Sequence, residues 1–368
     1  MKIIFILASL GSGGAERVVS LLANRMCEDG HEIQIICLKY NDVYYTLHDE
    51  IKVVAATDYV TNRITELWWL RHFIRKEKPD VVISFTEGVY CFTILSLLGT
   101  GIPIIASERL DPTAMSPTRK LLKRLLLPYA DWLVVQTQSI KEFFPQKIQM
   151  KTSIIYNPVR EEVFSLPRTS SLTPTPSPKG EGSIKCEEKL NRIISVARLY
   201  PQKNQKMMIE AFAKIADEFP DWQLVIFGEG PLRSSLELLV KSLQLDGRVL
   251  LPGRTEHVIE ELRKSKIFCL SSDYEGMSNS MIEAICVGLP IVTTNVSGVK
   301  ELVDDNINGF VVECGDVDRM CSALSTLMGN ESLMNCFAQK SFERRRLFQM
   351  DVVNNKWNSL INQVSKKV

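Results

Sequence analysis

Short hydrophobic runs alternate with longer amphipathic segments along the chain. In the first half, the runs IIFILAS (from residue 3), EIQIICL and VVISF are separated by segments whose apolar residues recur with helical spacing. Near-continuous apolar strands that alternate with helices are typical of parallel sheets covered on both faces. We therefore predict an α/β fold in which the runs IPIIAS, WLVVQT and SIIYNPV extend the first sheet.

The same alternation restarts near residue 192. The run RIISVARL is followed by WQLVIFGEG, VLLPG, KIFCLSS, PIVTT and GFVVEC. Between the two halves, residues 167–183 are rich in proline and serine and contain no aromatic residue. Such a segment cannot bury enough apolar surface to fold by itself, so we predict a flexible insertion at residues 167–188.

The chain is long enough for two domains of about 150 to 200 residues each. We predict two Rossmann-like domains with doubly wound parallel sheets, at residues 1–166 and 189–345, facing each other across a cleft. The polar helical segment 346–368 can pack on either domain, including a return to the first, and Trp357 and Leu360 are its expected anchors.

Composition narrows the class of protein. Hydrophobic residues make up 45% and charged residues 24% of the chain, as in ordinary globular proteins. The formal net charge of +1 creates no overall field for nucleic acid, so we expect no nucleic-acid partner. Nine scattered cysteines without a C-x-x-C motif indicate reduced thiols of a cytoplasmic protein, and the histidines (31, 48, 72 and 257) are dispersed.

Two apolar stretches could be mistaken for membrane signals. Residues 2–10 are interpreted as a buried first strand, because no convincing cleavage region of a signal peptide follows them. Residues 89–106 carry no charge, but Gly99, Gly101 and Pro103 interrupt them where a helix would turn into a strand. We therefore predict no membrane-spanning helix there.

A glycine-rich loop follows the first strand and leads into an amphipathic helix. Its sequence is Gly11-Ser12-Gly13-Gly14-Ala15-Glu16, which matches neither the dinucleotide fingerprint nor the Walker motif. Glycines at a helix start let backbone amides approach a phosphate. A simple tight turn remains the alternative.

A stronger group of charged residues lies in the second half. Arg198 and Lys203 come just after its first strand, where two positive charges can neutralise a diphosphate. Glu275 comes just before a predicted helix, and Glu283 lies eight residues later, about two helical turns on and near the same face. Residues 276–279 would expose free amides at the helix start. A solvated basic loop and a capping glutamate are the alternatives.

These residues resemble a known family. The segment EGMSNSMIEAICVGLPIVTTNVSGVKELVDDNINGFVV, with RLYPQKN, FGEGPLR and the amino-terminal GSGGAERVV, is similar to retaining glycosyltransferase family 4, of GT-B architecture. The motifs occur in the family's order and cover nearly the whole chain outside residues 167–188. GGAERV and SERLDP (107–112) look most like bacterial enzymes that build lipid-linked or exported oligosaccharides.

The resemblance implies a role for each matching residue. Glu283 would hold the ribose diol and Glu275 the hydroxyls of the transferred sugar, while Arg198 and Lys203 would stabilise the leaving diphosphate. The catalytic set is therefore Arg198, Lys203 and Glu275. The other donor-binding residues implied are Gly13, Gly14, Gly228, Arg254, Gly276, Met277, Ser278, Asn279 and Glu283. Many members have a histidine where this chain has Glu108, which we place on the acceptor or sugar side.

The resemblance also implies the reaction. We expect a hexose or N-acetylhexosamine to move from a nucleotide diphosphate sugar, with UDP as the expected nucleotide, to a lipid-linked glycan, with retention and without metal or cofactor. The single D-x-D, Asp316-Val317-Asp318, is interpreted as a helix cap. A nucleotide-sugar epimerase of related architecture is the alternative. An inactive binding protein and a dinucleotide oxidoreductase fit the motifs less well.

One predicted helix is both basic and amphipathic, as are helices that bind membrane surfaces. In TRKLLKRLL the basic residues 119, 120, 123 and 124 share one face, and the leucines 121, 122, 125 and 126 share another. Our default is that the leucines are buried and the basic face is solvated. The alternative is a cationic helix on the anionic inner face of the membrane, joined by the second basic stretch LWWLRHFIRKEK.

Overall fold

The computed structural model describes residues 1–39, 43–110, 115–165 and 189–366. The insertion predicted at 167–188 therefore lies outside the described residues, as does the end of the SERLDP motif. The chain divides into two units. Unit 1 comprises Met1–Arg160 and Leu347–Val368, and unit 2 comprises Glu161–Arg346.

All the strands pair in parallel. The strands are β1 (Lys2–Leu7), β2 (Glu32–Cys37), β3 (Lys52–Ala55), β4 (Val81–Phe85), β5 (Ile104–Ser107), β6 (Trp132–Val135), β7 (Thr152–Ile154), β8 (Arg192–Val196), β9 (Gln223–Phe227), β10 (Val249–Gly253), β11 (Ile267–Leu270), β12 (Ile291–Thr294) and β13 (Gly309–Val312). Unit 1 has the seven-stranded order β3-β2-β1-β4-β5-β6-β7, and unit 2 the six-stranded order β10-β9-β8-β11-β12-β13. The predicted pair of doubly wound parallel sheets is confirmed.

The helices follow the strands in chain order. They are α1 (Gly14–Glu28), α2 (Arg63–Glu77), α3 (Glu87–Leu97), α4 (Pro117–Leu126), α5 (Gln138–Phe143), α6 (Gln146–Gln149), α7 (Glu162–Ser165), α8 (Gln205–Ala213), α9 (Arg233–Ser242), α10 (Val258–Arg263), α11 (Asn279–Cys286), α12 (Val299–Leu302), α13 (Val317–Gly329), α14 (Glu331–Arg344) and α15 (Met350–Ser365). The uncharged run 89–106 divides into α3 and β5, as predicted.

After Lys2, strand β1 has no polar position. Ile3 and Phe5 belong to the apolar cluster on one face of the sheet, whereas Ile4 and Ile6 belong to the cluster on the other. Successive side chains of a strand point to opposite faces, so a central strand covered on both sides must be apolar throughout. Unit 1 therefore buries residues 3–7 as the centre of its fold.

Helix α15 completes the core of unit 1. Trp357 is fully buried and Leu360 is also buried, both in the cluster that contains Ile3 and Phe5. The Trp357 ring stacks on Phe85 with a centroid distance of 6.1 Å. Both expected anchors of the C-terminal segment are thus buried, and they pack on unit 1.

Strand β3 was missed by the sequence analysis. It is a four-residue edge strand, and its Val53 and Val54 are only partly buried. The run KVVA is too short to show an alternating pattern. Hydrogen bonding to β2 therefore determines its strand conformation, which its own sequence does not indicate.

The default interpretation of α4 was wrong. Leu121, Leu122 and Leu125 are exposed, whereas Lys123 is buried. Lys123 lies under the helix because its ammonium group pairs with Glu108. A charge pattern alone cannot show that one lysine of a basic face has a buried partner.

Candidate active site

In each sheet the strand order reverses direction at one point. The reversal falls between β1 and β4 in unit 1 and between β8 and β11 in unit 2. In open α/β sheets, ligands bind outside the carboxyl ends of the strands at such points. The loops that follow these strands are therefore the first place to examine in each unit.

In unit 2, two loops at this point are joined by hydrogen bonds. We call residues 197–204 the β8 loop and residues 271–278 the β11 loop. The Ser271 hydroxyl donates to the carbonyls of Lys203 and Asn204 at 3.0 and 2.8 Å. The Asp273 amide donates to the Gln202 carbonyl at 2.9 Å. These bonds fix the backbone that carries the predicted catalytic residues.

The two loops bring Lys203 and Glu275 together. The Lys203 ammonium group forms an ion pair with Oε1 of Glu275, and the Ser272 hydroxyl donates to the same oxygen at 2.8 Å. The two side chains keep 14% and 10% exposure, so the pair is accessible from one side. Arg198 is exposed in the same loop, with its guanidinium 5.2 Å from the centroid of the Tyr200 ring.

The relation between Glu275 and Glu283 differs from the prediction. Helix α11 begins only at Asn279, so Glu275 lies in the loop before it and the two carboxylates do not share a helical face. Ser278 caps this helix by accepting from the amide of Met281, which therefore is not free. Glu283 is only 3% exposed and Met277 is buried. The two glutamates thus occupy different environments.

Close backbone approaches explain several glycines around these loops. Gly228 has a φ of +145°, and a Cβ there would lie 1.9 Å from the carbonyl oxygen of Ala197. Gly298 has a φ of +83°, and its Cβ would lie 2.3 Å from the carbonyl oxygen of Gly276. Any side chain would push the loops apart. Sequence reasoning selected Gly228 but missed Gly298, although VSG before a short helix is a turn signal.

Arg254 lies directly after β10 and is exposed. Hydrogen bonds from Arg233 and the nearby charge of Arg254 hold the pKa of Glu229 below its usual value. Arg254 thus lies at the same edge of the unit 2 sheet as the β8 loop. This position is compatible with the predicted base pocket.

In unit 1, the glycine-rich loop forms the start of α1. Gly13 caps the helix, and a Cβ there would lie 2.1 Å from Oε2 of Glu16. The Glu16 carboxylate therefore lies against the backbone at the positive end of the helix. Gly14, the next residue, is exposed. A phosphate that approached these amides would share the helix start with Glu16.

Glu108 lies in a closed network in unit 1. It is fully buried; its Oε2 accepts from the Tyr90 hydroxyl at 2.8 Å and pairs with Lys123. Its Oε1 accepts from the amides of Arg109 and Leu110 at 3.1 and 3.3 Å. Burial is the main reason that the pKa of Tyr90 is raised well above its usual value. This arrangement disfavours the predicted direct contact of Glu108 with an acceptor.

Three polar residues at the same edge were missed by the sequence analysis. Arg109, Gln136 and Asn157 follow β5, β6 and β7, and all three are buried. Each stands one or a few residues beyond an apolar strand, which is the signal that could have found them. Unit 1 therefore has a polar edge of its own.

The metal signals were tested against the structure. Asp316 caps α13 by accepting from the amide of Arg319, as predicted for the D-x-D segment. The structure also brings Cys27, His48 and Glu50 together, with the Cys27 Sγ 3.6 Å from Nδ1 and 3.9 Å from Oε2. This group precedes β3 and lies away from the carboxyl edges of the sheet. The described cysteines are unpaired, and five of them are buried.

Two family models of glycosyltransferases match this chain, one in each half. The family model for glycosyltransferase family 4 matches residues 12–163, and the model for glycosyl transferases group 1 matches residues 181–344. The chain is a glycosyltransferase, with a match to family 4 in its amino-terminal part and to group 1 in its carboxyl-terminal part. Its fold is the GT-B architecture of two Rossmann-like units, and its class of activity is glycosyl transfer.

Two relatives come from Campylobacter jejuni. A GalNAc-alpha-(1->4)-GalNAc-alpha-(1->3)-diNAcBac-PP-undecaprenol alpha-1,4-N-acetyl-D-galactosaminyltransferase is 29% identical, covering 99% of both chains. An N-acetylgalactosamine-N,N'-diacetylbacillosaminyl-diphospho-undecaprenol 4-alpha-N-acetylgalactosaminyltransferase is 27% identical, covering 92% of this glycosyltransferase and 93% of the relative. Both names describe transfer to lipid-linked glycans.

The fold also matches solved structures. HepE from Anabaena, solved in complex with UDP, superposes with a TM-score of 0.81 over 99% of this chain and 100% of its own, at 16% identity. Within the described part of this glycosyltransferase, no helix is both apolar enough and long enough to cross a bilayer.

Proposed function

We propose that this glycosyltransferase moves a hexose or N-acetylhexosamine from a UDP-sugar to a lipid-linked glycan, with retention and without a metal ion. The observation that carries the proposal is the ion pair of Lys203 with Glu275 at the strand reversal of unit 2. A cation and a carboxylate held side by side suit the two parts of a nucleotide sugar. One neutralises the diphosphate and the other binds sugar hydroxyls.

The pair must change partners when the donor binds. Lys203 would turn from Oε1 of Glu275 toward the diphosphate, which carries more negative charge than one carboxylate. Arg198, which is exposed in the same loop, would add a second cation. Both charges stabilise the leaving diphosphate most strongly as its bond to the sugar breaks, and that difference accelerates the reaction.

Retention in this scheme requires no protein base. The acceptor hydroxyl attacks from the donor face of the sugar, and an oxygen of the leaving phosphate takes its proton. Glu275 and Glu283 therefore do not act as the two carboxylates of a retaining glycosidase, which flank the scissile bond. Glu283, buried on α11, would hold the ribose instead.

The relatives support the substrate classes. HepE is solved with UDP, and the two Campylobacter jejuni relatives are named for acceptors that carry diphospho-undecaprenol. We therefore propose a UDP-sugar donor and a polyprenol diphosphate-linked glycan as acceptor. The proposed location is the cytoplasm, at the inner face of the membrane.

A donor screen tests this proposal. Purified protein is melted with UDP-, GDP-, ADP- and dTDP-sugars, since a ligand at 100 times its Kd stabilises the folded state by about 2.7 kcal/mol. The UDP-sugars should raise Tm and be hydrolysed slowly in the presence of EDTA. NMR of the transferred sugar should show the anomeric configuration of the donor. An inverted product, or loss of turnover with EDTA, would contradict the mechanism.

The surface of unit 1 supports a membrane-bound acceptor. Helices α2 and α4 both pack against α3, so they lie on one side of the sheet. Exposed apolar side chains on these helices and the turn after α3 are Ile64, Trp68, Leu95, Leu98, Leu121, Leu122 and Leu125. Basic residues on the same helices include Arg75, Lys76, Arg119 and Arg124, all exposed. This combination is typical of surfaces that lie on anionic membranes.

We call these three helices the α2–α4 surface. A groove of about 870 Å³ beside α4 adds Phe143 from α5 and Lys147 from α6 to it. The groove is lined by basic and apolar side chains together, as a lipid headgroup with its chain requires. The proposed acceptor would thus be presented to unit 1 from the membrane.

A further inference from the structure

Arg109 stands out among the polar residues at the strand edge of unit 1. It follows β5 directly after Glu108, and it is 8% exposed. Its Nη1 donates to Oδ1 of Asn157, which also accepts from Nε2 of Gln136 at 2.7 Å. The guanidinium carbon lies 4.5 Å from the centroid of the Phe85 ring. Asn157 and Phe85 therefore hold this group in place directly, and Gln136 supports it through Asn157.

The other edge of the guanidinium is unused. Nε and Nη2 of Arg109 are both buried, and neither has an acceptor among the residues that the structure describes. These two N–H groups point the same way and form the fork with which arginine binds carboxylate or phosphate bidentately. The fork is free because the contact with Asn157 uses Nη1.

In the part of the chain that the structure describes, Glu108 is the carboxylate whose charge acts on Arg109. Glu108 is the nearest carboxylate along the chain, but Lys123 already pairs with it. The three buried side chains together carry one more positive than negative formal charge. Burial lowers the pKa of Arg109 to about 9. A buried cation with unpaired donors is costly, so such a group is retained where a ligand completes it.

We propose that Arg109 is an oxyanion-binding residue of unit 1 that takes a phosphate of a substrate diphosphate through Nε and Nη2. This rests on the proposed function, in which both the donor and the lipid-linked acceptor carry a diphosphate. The edge beyond β5 is one of the positions where parallel sheets bind ligands.

Calorimetry on the full-length protein tests the site with two probes. The first arm titrates UDP, and the second titrates inorganic pyrophosphate into protein saturated with UDP. Arg109→Met should weaken binding by about tenfold or more in one arm, the loss expected for hydrogen bonds to a charged group. A loss with UDP identifies the donor phosphate, and a loss with pyrophosphate identifies the acceptor phosphate.

Two further variants separate binding from folding. Arg109→Lys keeps the charge but lacks the fork, so it should bind less tightly than the parent and more tightly than Arg109→Met. Lys52→Met, which changes an exposed lysine at the start of β3 and so at the opposite edge of the sheet, is the control and should bind like the parent. Without ligand, Arg109→Met should melt no lower than the parent, because it removes an unpaired buried charge.

The result that overturns the proposal is binding within about twofold of the parent in both arms for Arg109→Met and Arg109→Lys. If Arg109→Met fails to fold, Arg109→Lys alone decides by the same criterion. The proposed function can fail separately. A parent protein that transfers from no UDP-sugar, yet loses pyrophosphate binding in Arg109→Met, would refute the donor and keep the site.

Discussion

In each unit a lysine–glutamate pair includes a glutamate that follows a strand, and the two pairs differ in what surrounds them. In unit 1 the side chains of Lys123 and Glu108 are 2% and 0% exposed, and both oxygens of Glu108 accept hydrogen bonds. In unit 2 the side chains of Lys203 and Glu275 are 14% and 10% exposed. Of the two carboxylate oxygens of Glu275, Oε1 accepts hydrogen bonds from described residues and Oε2 does not.

The difference separates a structural pair from one that can serve a substrate. A buried carboxylate whose two oxygens both accept hydrogen bonds offers little to a ligand, but removing its cation leaves an uncompensated charge. A partly exposed pair with an unused carboxylate oxygen loses less free energy when its lysine and glutamate separate to bind a substrate. We therefore infer that Lys123 and Glu108 hold α4 to the sheet, whereas Lys203 and Glu275 bind the donor.

The largest effect should follow from breaking the pair in unit 1. Lys123→Met leaves Glu108 buried without its cation, and we expect a loss of about 3 to 5 kcal/mol in the free energy of unfolding. Equilibrium urea denaturation measures this loss. Arg124→Met, on the exposed side of the same helix, should change stability by less than about 0.5 kcal/mol.

A double variant checks the cause. Glu108→Gln combined with Lys123→Met removes both charges and should recover part of the stability that Lys123→Met alone loses. If the double variant is less stable than the single one, the carboxylate does not cause the loss, and the inferred role of Lys123 is wrong.

Removing a cation from the β8 loop of unit 2 should mainly lower the turnover number rather than the stability. Lys203→Ala and Arg198→Ala should each lower kcat by a factor on the order of 100, because each removes a charge that stabilises the leaving diphosphate. Steady-state transfer from the donor found in the screen measures this. Lys206→Ala is the matched control, because Lys206 is an exposed lysine on α8 whose side chain is 66% exposed.

Near-parental kcat in both Lys203→Ala and Arg198→Ala would reject the proposed roles. The free energy of unfolding should also distinguish the two pairs. Because the Lys203 pair is partly exposed, its loss should cost much less unfolding free energy than the loss of the Lys123 pair. Equal destabilisation by Lys203→Ala and Lys123→Met would remove the distinction between the two pairs.

A smaller effect should separate the two glutamates of unit 2. If Glu283 binds the ribose as proposed, Glu283→Gln weakens a charged hydrogen bond, and UDP binding should fall by about 1.5 to 3 kcal/mol. If Glu275 binds the sugar as proposed, Glu275→Gln should leave the binding of free UDP nearly unchanged and lower kcat or donor selectivity. Calorimetry with UDP tests both variants, and the opposite pattern would reverse the two assignments.

The sequence predicted most of the fold because its strands are strongly apolar. The strand pattern predicted both sheets, and Trp357 and Leu360 marked the helix that completes unit 1. Strand β3 was missed because four residues at an edge, with Val53 and Val54 only partly buried, carry too little signal. Pairing with a neighbour decided its structure.

The site was predictable where residues follow a strand in a recognisable motif. Lys203 and Glu275 lie 72 positions apart and meet as a pair, which the motif order implied but no spacing could show. Arg109 and the burial of Lys123 were missed because they depend on partners from other strands and helices. Glu275 lies before the helix as predicted, but the expectation that it lies near the face of Glu283 was wrong, because the helix begins only after the cap at Ser278.

The smallest predicted effect of a single substitution is the loss of vesicle binding by the α2–α4 surface. Lys123 is buried, so the basic residues of α4 that can face a membrane are Arg119, Lys120 and Arg124. Each one changed to glutamine should weaken binding to anionic vesicles by about 1 kcal/mol, and binding should fall with salt. Flotation with vesicles of phosphatidylglycerol and phosphatidylcholine measures the series.

The exposed leucines provide the complementary arm of this test. Changing Leu121, Leu122 and Leu125 to serine should weaken vesicle binding but leave its salt dependence intact, because the apolar contact is not screened. Hydrolysis of a soluble donor should stay at the parental rate in every variant of this surface, since donor chemistry resides in unit 2. A parent protein that does not float at low salt, or a leucine variant that floats equally well, would instead favour a soluble acceptor.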